Sequence, residues 1–230
     1  MLADYVRYPR SPATVIRLVR SAVPPDSHGD TVRALALWGI RPAGGLGQSE
    51  VAFLEFMAAF RSAIEDWCRV TFSVEFILAD NHARINRYPE QQIVEYVDSV
   101  APVARDFGFG ARTLSSIVPL SVIEERLENR RQCREEARRI WDTSSPTLRR
   151  RLILGAQRHV RHGSWRAGLL GYLCCLSVER HHLLRYSGEP RLCLTLNSTS
   201  YRSTLPRAPT LFLWCGPARQ TTKPWFAPGN

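Results

Sequence analysis

The chain has 230 residues, 44% of them apolar, and is long enough to fold as one domain around one buried core. Its formal charge is +10, yet Lys223 is the only lysine, and so general an excess of arginine fits codon usage at least as well as phosphate binding. No apolar run reaches the roughly 18 residues that span a bilayer, and no basic leader precedes an apolar segment. We therefore expect a cytoplasmic protein with no membrane partner.

The six cysteines show no C-x-x-C spacing, and Cys174 and Cys175 fall within an apolar helical pattern. Reduced, buried thiols are the simplest interpretation. We expect no metal site and no cofactor.

Prolines dominate residues 1–30, which are predicted to form an N-terminal lead-in or lid, with a short amphipathic segment at 13–23. Residues 31–230 are predicted to form a single Rossmann-like catalytic domain. The first strand, 33–38, runs into a glycine-rich loop that contains Arg41. A strand, loop and helix in this order offer backbone N–H groups to an anion, although the spacing matches no nucleotide motif and a flexible surface turn explains it equally well.

The next helix is predicted at 48–67 and carries Glu50 in its first turn, where a carboxylate also complements the helix dipole. Residues 70–79 then alternate and end apolar, which is typical of a strand that enters a core. A cluster of polar side chains follows at the carboxyl end of this strand, where open α/β sheets bind ligands: Asp80, Asn81, His82, Arg84 and Asn86. A site is predicted to begin at Asp80, and a turn made by Asp80 or Asn81 is the alternative.

A second helix is predicted at 90–107 and a third strand at 113–118, completing a β-α-β-α-β order. This order predicts an α/β fold with a mostly parallel sheet of about five strands, helices on both faces and a helical insertion at about 119–186. The insertion is strongly basic, and its arginines without intervening acids are the best candidates for phosphate or tRNA contacts: Arg149, Arg150, Arg151, Arg158, Arg161 and Arg166. Near its end, Glu179, His181 and His182 could line a cleft or cap the helix.

The last strands are predicted at 191–197 and 210–214, with the strand at Arg191 beside the strand at Arg33. Polar residues follow the first of them, so the cleft is expected between 39–48, 80–86 and 197–202. Lys223, the only lysine, could lose its proton if buried and act as a base or form an imine, and chance retention is the alternative.

Several of these features together resemble the isocyanide synthase family: Glu50 opening a helix, the strand that ends at Asp80, Tyr96, and the closing strands followed by Lys223-Pro224-Trp225-Phe226. The similarity spans residues 37–226. Members of that family join an amino acid to a carbon from a phosphorylated pentulose. In place of their Ser-Asp-Gly and Thr-Pro-Trp-His elements, this chain has Ala79-Asp80-Asn81 and Lys223-Pro224-Trp225-Phe226.

A second, local resemblance links residues 39–47 and 77–86 to the catalytic half of archaeal-type tyrosyl-tRNA synthetases. The His-x-Gly-His and Lys-Met-Ser-Lys-Ser signatures of those enzymes are missing, so ordinary tRNA charging is not expected. Cyclodipeptide synthases reuse that fold on aminoacylated tRNA without ATP, which the basic helices would suit.

The function expected from these observations is an isocyanide-synthase-like enzyme of specialised metabolism that acts on an amino acid with a phosphorylated pentulose. The alternatives are a tRNA-dependent aminoacyl transferase of the cyclodipeptide synthase type and a non-catalytic RNA-binding protein. The expected catalytic residues are Asp80, His82, Glu50 and Lys223, and the expected substrate-binding residues are Arg41, Asn86, Asn197, Arg202 and Trp225.

Overall fold

In the described residues, one or two helices separate successive strands in the first half of the chain, and four helices then precede two short final strands. The computed structural model describes residues 12–23, 31–40, 45–159, 164–187, 192–195 and 210–212. Its elements are α1 (Pro12–Ser21), β1 (Thr31–Trp38), α2 (Gln48–Cys68), β2 (Thr71–Leu78), α3 (Asp80–Ile85), α4 (Glu90–Asp106), β3 (Gly110–Thr113), α5 (Leu120–Glu128), α6 (Arg130–Thr143), α7 (Pro146–His159), α8 (Trp165–Ser187), β4 (Leu192–Thr195) and β5 (Thr210–Phe212).

The five strands form one sheet in the order β3-β2-β1-β4-β5, and every neighbouring pair is parallel. β1 lies at the centre, with Trp38 opposite Leu78 of β2 on one side and Ala34 opposite Leu192 of β4 on the other. The predicted α/β class, the five-stranded parallel sheet and the pairing of β1 with β4 are confirmed. Because all strands point the same way, their carboxyl ends meet at one edge.

Helices cover both faces of this sheet, as predicted. Phe72, Val74 and Phe76 of β2 face one side and share a core with α2 and α4, whereas Ile77 faces the other and packs with residues of α8. Among the described residues, cover on the second face lies near the carboxyl edge, because Thr71 and Ser73 are exposed while Ile77 and Ala79 are buried. The edge predicted to hold the site is therefore enclosed from both faces.

The third strand differs from the prediction. It spans Gly110–Thr113, and the apolar run that follows forms a turn in which the N–H groups of Ile117 and Val118 bond to the carbonyl of Leu114. Gly110 lies so close to Glu75 of β2 that an added Cβ would stand 3.2 Å from Glu75 Cγ. The prediction of a strand at 113–118 was wrong because Leu114 and Val118 are buried through a turn, and a short apolar run does not distinguish the two.

The predicted helical insertion is present as α5 to α8. α6 and α7 pack on α8 through a cluster that includes Ile140, Leu152 and Leu173. At the other end of the chain, α1 buries Val15 and Val19 against the main core beside α2. Among the described helices, none is long and apolar enough to cross a membrane.

Candidate active site at the carboxyl edge of the sheet

The short helix α3 begins where β2 ends, and its first residue is tied down on two sides. Asp80 is 1% exposed, and its Oδ1 accepts a hydrogen bond of 2.9 Å from the backbone N–H of Ser115, in the turn after β3. Its Oδ2 accepts from Arg84 Nη1, one helical turn further on. Both carboxylate oxygens are thus used within the protein, and Asp80 fixes α3 against the edge of the sheet.

Arg84 bridges this buried carboxylate to an exposed one. Its Nε lies 2.9 Å from Glu90 Oε2 and its Nη2 lies 2.6 Å from Glu90 Oε1, at the start of α4. The hydrogen bonds to Glu90, followed by those to Asp80, outweigh burial and raise the pKa of Arg84. The guanidinium stays charged and neutralises Asp80.

The second charged pair joins α3 to α8. His82 Nε2 lies 2.7 Å from Glu179 Oε1, with the imidazole 21% exposed and the carboxylate 1% exposed. The ring edge of Tyr172 also approaches the imidazole, with centroids 6.2 Å apart. Burial alone lowers the pKa of His82, but the charge and hydrogen bond of Glu179, with the charge of Asp80, raise it above its ordinary value. The imidazole therefore has a stronger tendency to be protonated than a free histidine.

Between these two pairs, Asn81 is fully buried. Its Nδ2 donates a hydrogen bond of 2.7 Å to the carbonyl of Val118. Its Oδ1 receives no hydrogen bond within the described part of the chain. Buried side-chain acceptors without a hydrogen bond are uncommon in folded proteins.

On the opposite face of the sheet, Glu50 is held by neutral donors. Its Oε2 accepts from the N–H of Gly47 at 3.1 Å, and its Oε1 accepts from the Tyr96 hydroxyl at 3.2 Å. That hydroxyl accepts in turn from Trp38 Nε1 at 3.1 Å. Burial raises the pKa of Tyr96, the Trp38 hydrogen bond opposes this, and the charge of Glu50 adds to it. The phenol remains protonated and donates to Glu50.

The structure thus brings three of the predicted catalytic residues, Asp80, His82 and Glu50, to the same edge of the sheet. Asn86 follows α3 with its side chain exposed, and its backbone N–H bonds to the carbonyl of His82 at 3.0 Å. The other predicted site residues lie outside the described residues, as does part of the predicted cleft: Arg41, Asn197, Arg202, Lys223 and Trp225.

No family model matches the chain, and no curated protein matches it either. Its fold resembles that of a solved structure, the PvcA protein from Pseudomonas aeruginosa. The two superpose with a TM-score of 0.58 and 16% sequence identity, over 96% of this chain and 83% of the PvcA chain. At this identity the likeness shows the α/β fold.

Within this PvcA-like fold, Glu179 contributes to the site although it was not among the expected catalytic residues. The sequence showed an acid within a largely apolar helix, and this acid could have lined a cleft or capped the helix. Its contact with His82 joins residues 97 positions apart, which no local pattern indicates.

The described residues contain no cluster of three or more side chains that could hold a metal ion.

Five of the six cysteines are described, and all five are buried and free, as expected for structural thiols: Cys68, Cys133, Cys174, Cys175 and Cys193. Burial raises the pKa of Cys193 to about 12, so this thiol stays protonated. Cys215 lies outside the described residues.

Some arginines of the basic helices make contacts within the protein. Arg149 Nε donates to the carbonyl of Trp141 at 2.9 Å, and the guanidinium lies 5.2 Å from the centre of the Trp141 ring. Arg149 therefore caps the end of α6, whereas Arg150 is exposed. The side chains of Arg151 and Arg158, and all of Arg161, lie outside the described residues.

Proposed function

We propose that the chain is an isocyanide-synthase-like enzyme that acts on an amino acid, with a phosphorylated pentulose as co-substrate. The observation that carries this proposal is the group of buried charged side chains at the carboxyl edge of a parallel sheet in a PvcA-like fold. Open α/β sheets bind ligands at this edge. The resemblance of residues 37–226 to the isocyanide synthase family supports the same function.

His82 is the side chain best suited to exchange a proton with substrate. It is partly exposed and charge-paired, whereas both oxygens of Asp80 are already bonded to Ser115 and Arg84. We propose that Asp80 orients α3 and supplies negative charge to the site. Glu50, on the other face, would attract the ammonium group of the amino acid, because the donors that hold its carboxylate are neutral.

The remaining substrate contacts are expected from Asn86 and from residues outside the described part of the chain. Arg41 or Arg202 would hold the phosphate or a carboxylate through paired N–H donors. Asn86, Asn197 and Trp225 would contact the substrate, and Lys223 would serve as a base or form an imine.

A tRNA-dependent aminoacyl transferase of the cyclodipeptide synthase type is the second candidate. It is favoured by the exposed guanidiniums of Arg134 on α6 and Arg150 on α7, which are suited to phosphate contacts. The internal contacts of Arg149 reduce the free positive charge of this surface. A non-catalytic RNA-binding protein would use the same arginines and leave the sheet edge without a reaction.

The deciding experiment incubates the protein with amino acid pools and ribulose 5-phosphate, with and without charged tRNA, followed by mass spectrometry. We expect a new product that requires the pentulose phosphate and not tRNA. His82→Gln should abolish the product, and Arg150→Gln, at an exposed basic position on α7, should leave it unchanged. A product that appears only with charged tRNA would establish the second candidate, and RNA binding without any product would establish the third.

A further inference from the structure

Glu179 is a buried acid in an apolar part of the molecule. Around it on α8, Cys175, Val178 and Leu183 belong to the core cluster that covers the second face of the sheet. Glu179 itself is 1% exposed. An ionised carboxylate in such surroundings is costly unless it is paired, and within the described residues its partner is His82.

The side chain of His82 lies nearer the surface than that of Glu179. The imidazole of His82 is 21% exposed, and the carboxylate of Glu179 lies beneath it, away from solvent. Because Glu179 Oε1 binds Nε2 at 2.7 Å, the other ring nitrogen, Nδ1, is the one left to meet a substrate.

We propose that Glu179 is the positioning residue of His82: its buried carboxylate holds Nε2 and makes Nδ1 the atom that passes a proton to the bound substrate. This role rests on the proposed function, because it assigns His82 as the acid of that site. In the step, the Nδ1–H bond breaks as an O–H bond forms on a substrate oxygen. The neutral imidazole then recovers a proton from solvent.

The charges around the imidazole favour this role. Glu179 faces it from α8, with Asp80 and the Arg84 guanidinium on α3 and the Tyr172 phenol beside the ring. Asp80 is ion-paired with Arg84, and Glu179 is the carboxylate that contacts His82 directly. The raised pKa of His82 agrees with this balance.

Glu179→Gln tests the proposal in solution without any substrate. Glutamine keeps the length of the side chain and can accept a hydrogen bond from Nε2–H, but it removes the charge. We expect the pKa of His82, followed by NMR of labelled histidine rings and assigned with His82→Gln, to fall by at least about one unit. Glu136→Gln is the matched control, because Glu136 is also a partly buried acid bonded to α8, through Ser177. It should leave the titration of His82 unchanged.

The reaction supplies the second readout. An acid must be protonated to act, so activity should decline as pH rises through the pKa of His82. In E179Q this decline should move to lower pH by the same amount as the NMR titration, with a lower kcat near neutral pH and a similar KM. A purely structural role for Glu179 would lower the melting temperature without moving the pH profile.

An unchanged His82 titration in E179Q would overturn the proposal, and so would a shifted titration with an unmoved pH profile. If the wild-type protein makes no product, the proposed function fails, but the titration still decides whether Glu179 positions His82. Should E179Q fail to fold, Glu179→Asp keeps the charge and lengthens the contact to Nε2. The pKa of His82 must then fall toward its ordinary value, and an unmoved pKa overturns the proposal.

Discussion

At the carboxyl edge, a buried carboxylate lies on each face of the sheet, and the two carboxylates are held by different kinds of donor. On the α2 and α4 face, Glu50 is held by the N–H of Gly47 and the hydroxyl of Tyr96, both neutral donors. On the α8 face, Glu179 is paired with His82, a group whose charge changes near neutral pH. The donors that hold Glu50 do not titrate near neutral pH, whereas the partner of Glu179 gains or loses a proton there.

The charged face should therefore be the more fragile of the two, and the one that carries the pH dependence. Breaking a buried ion pair leaves an uncompensated charge, whereas removing a neutral donor costs one hydrogen bond.

The largest effect is expected from Asp80→Asn. Asparagine can still accept from Ser115 N–H, but Arg84 loses its buried counter-charge. We expect the free energy of unfolding, measured with denaturant, to fall by about 3 kcal/mol and turnover to be lost. Glu90→Gln, which removes the exposed partner of the same guanidinium, should cost less than about 0.5 kcal/mol. Equal losses in the two variants would contradict the assignment of Asp80 as the buried anchor of α3.

The next effect depends on pH. His82→Gln leaves Glu179 buried without a cation, and we expect a loss of about 2 kcal/mol at pH 6. Because the pKa of His82 is raised in the folded state, its stabilisation is fully present below its ordinary value of 6.5 and is lost as pH rises through the folded-state pKa. The stability gap between wild type and H82Q, measured by denaturant unfolding from pH 6 to pH 9, should shrink with rising pH. A gap that is constant with pH would mean that His82 is bound in its neutral form.

A smaller effect, which should not change between pH 6 and pH 9, is expected from Tyr96→Phe. This change removes the hydroxyl that donates to Glu50 and leaves Trp38 Nε1 without that acceptor. We expect a loss of about 1.5 kcal/mol in the free energy of unfolding. Comparison with Glu50→Gln and with the double variant would show coupling if the hydroxyl and the carboxylate act together, and strict additivity would argue against the hydrogen bond.

The smallest effect is expected on α7. Replacement of Arg150 together with Arg158 by glutamine should change stability by less than about 0.5 kcal/mol and leave synthase turnover unaltered. In the tRNA-dependent alternative the same pair would weaken tRNA binding and flatten its salt dependence. Binding assays across a salt series distinguish the two, and a marked loss of tRNA-dependent product would favour the alternative.

Local patterns predicted the framework well. The alternation of β2, the helical repeat of α2 and the β-α-β-α-β order indicated the parallel sheet, and polar residues behind an apolar strand indicated Asp80 and His82 at its edge. These features depend on neighbours a few positions apart and on the rule that parallel strands end at a common edge. The prediction of a strand at 113–118 was wrong because its apolar residues are buried within a turn and not within a strand of the sheet.

What the sequence alone determined was therefore the fold class and the edge at which charged residues gather. Tertiary structure decided the long-range pairing: Asp80 with Ser115, His82 with Glu179, and Glu50 with Tyr96. Each buried carboxylate must find donors within about 3 Å, and which donors come that close depends on how α8 and α4 lie on the two faces of the sheet. That packing is set by contacts between distant segments, which periodicity and spacing do not encode.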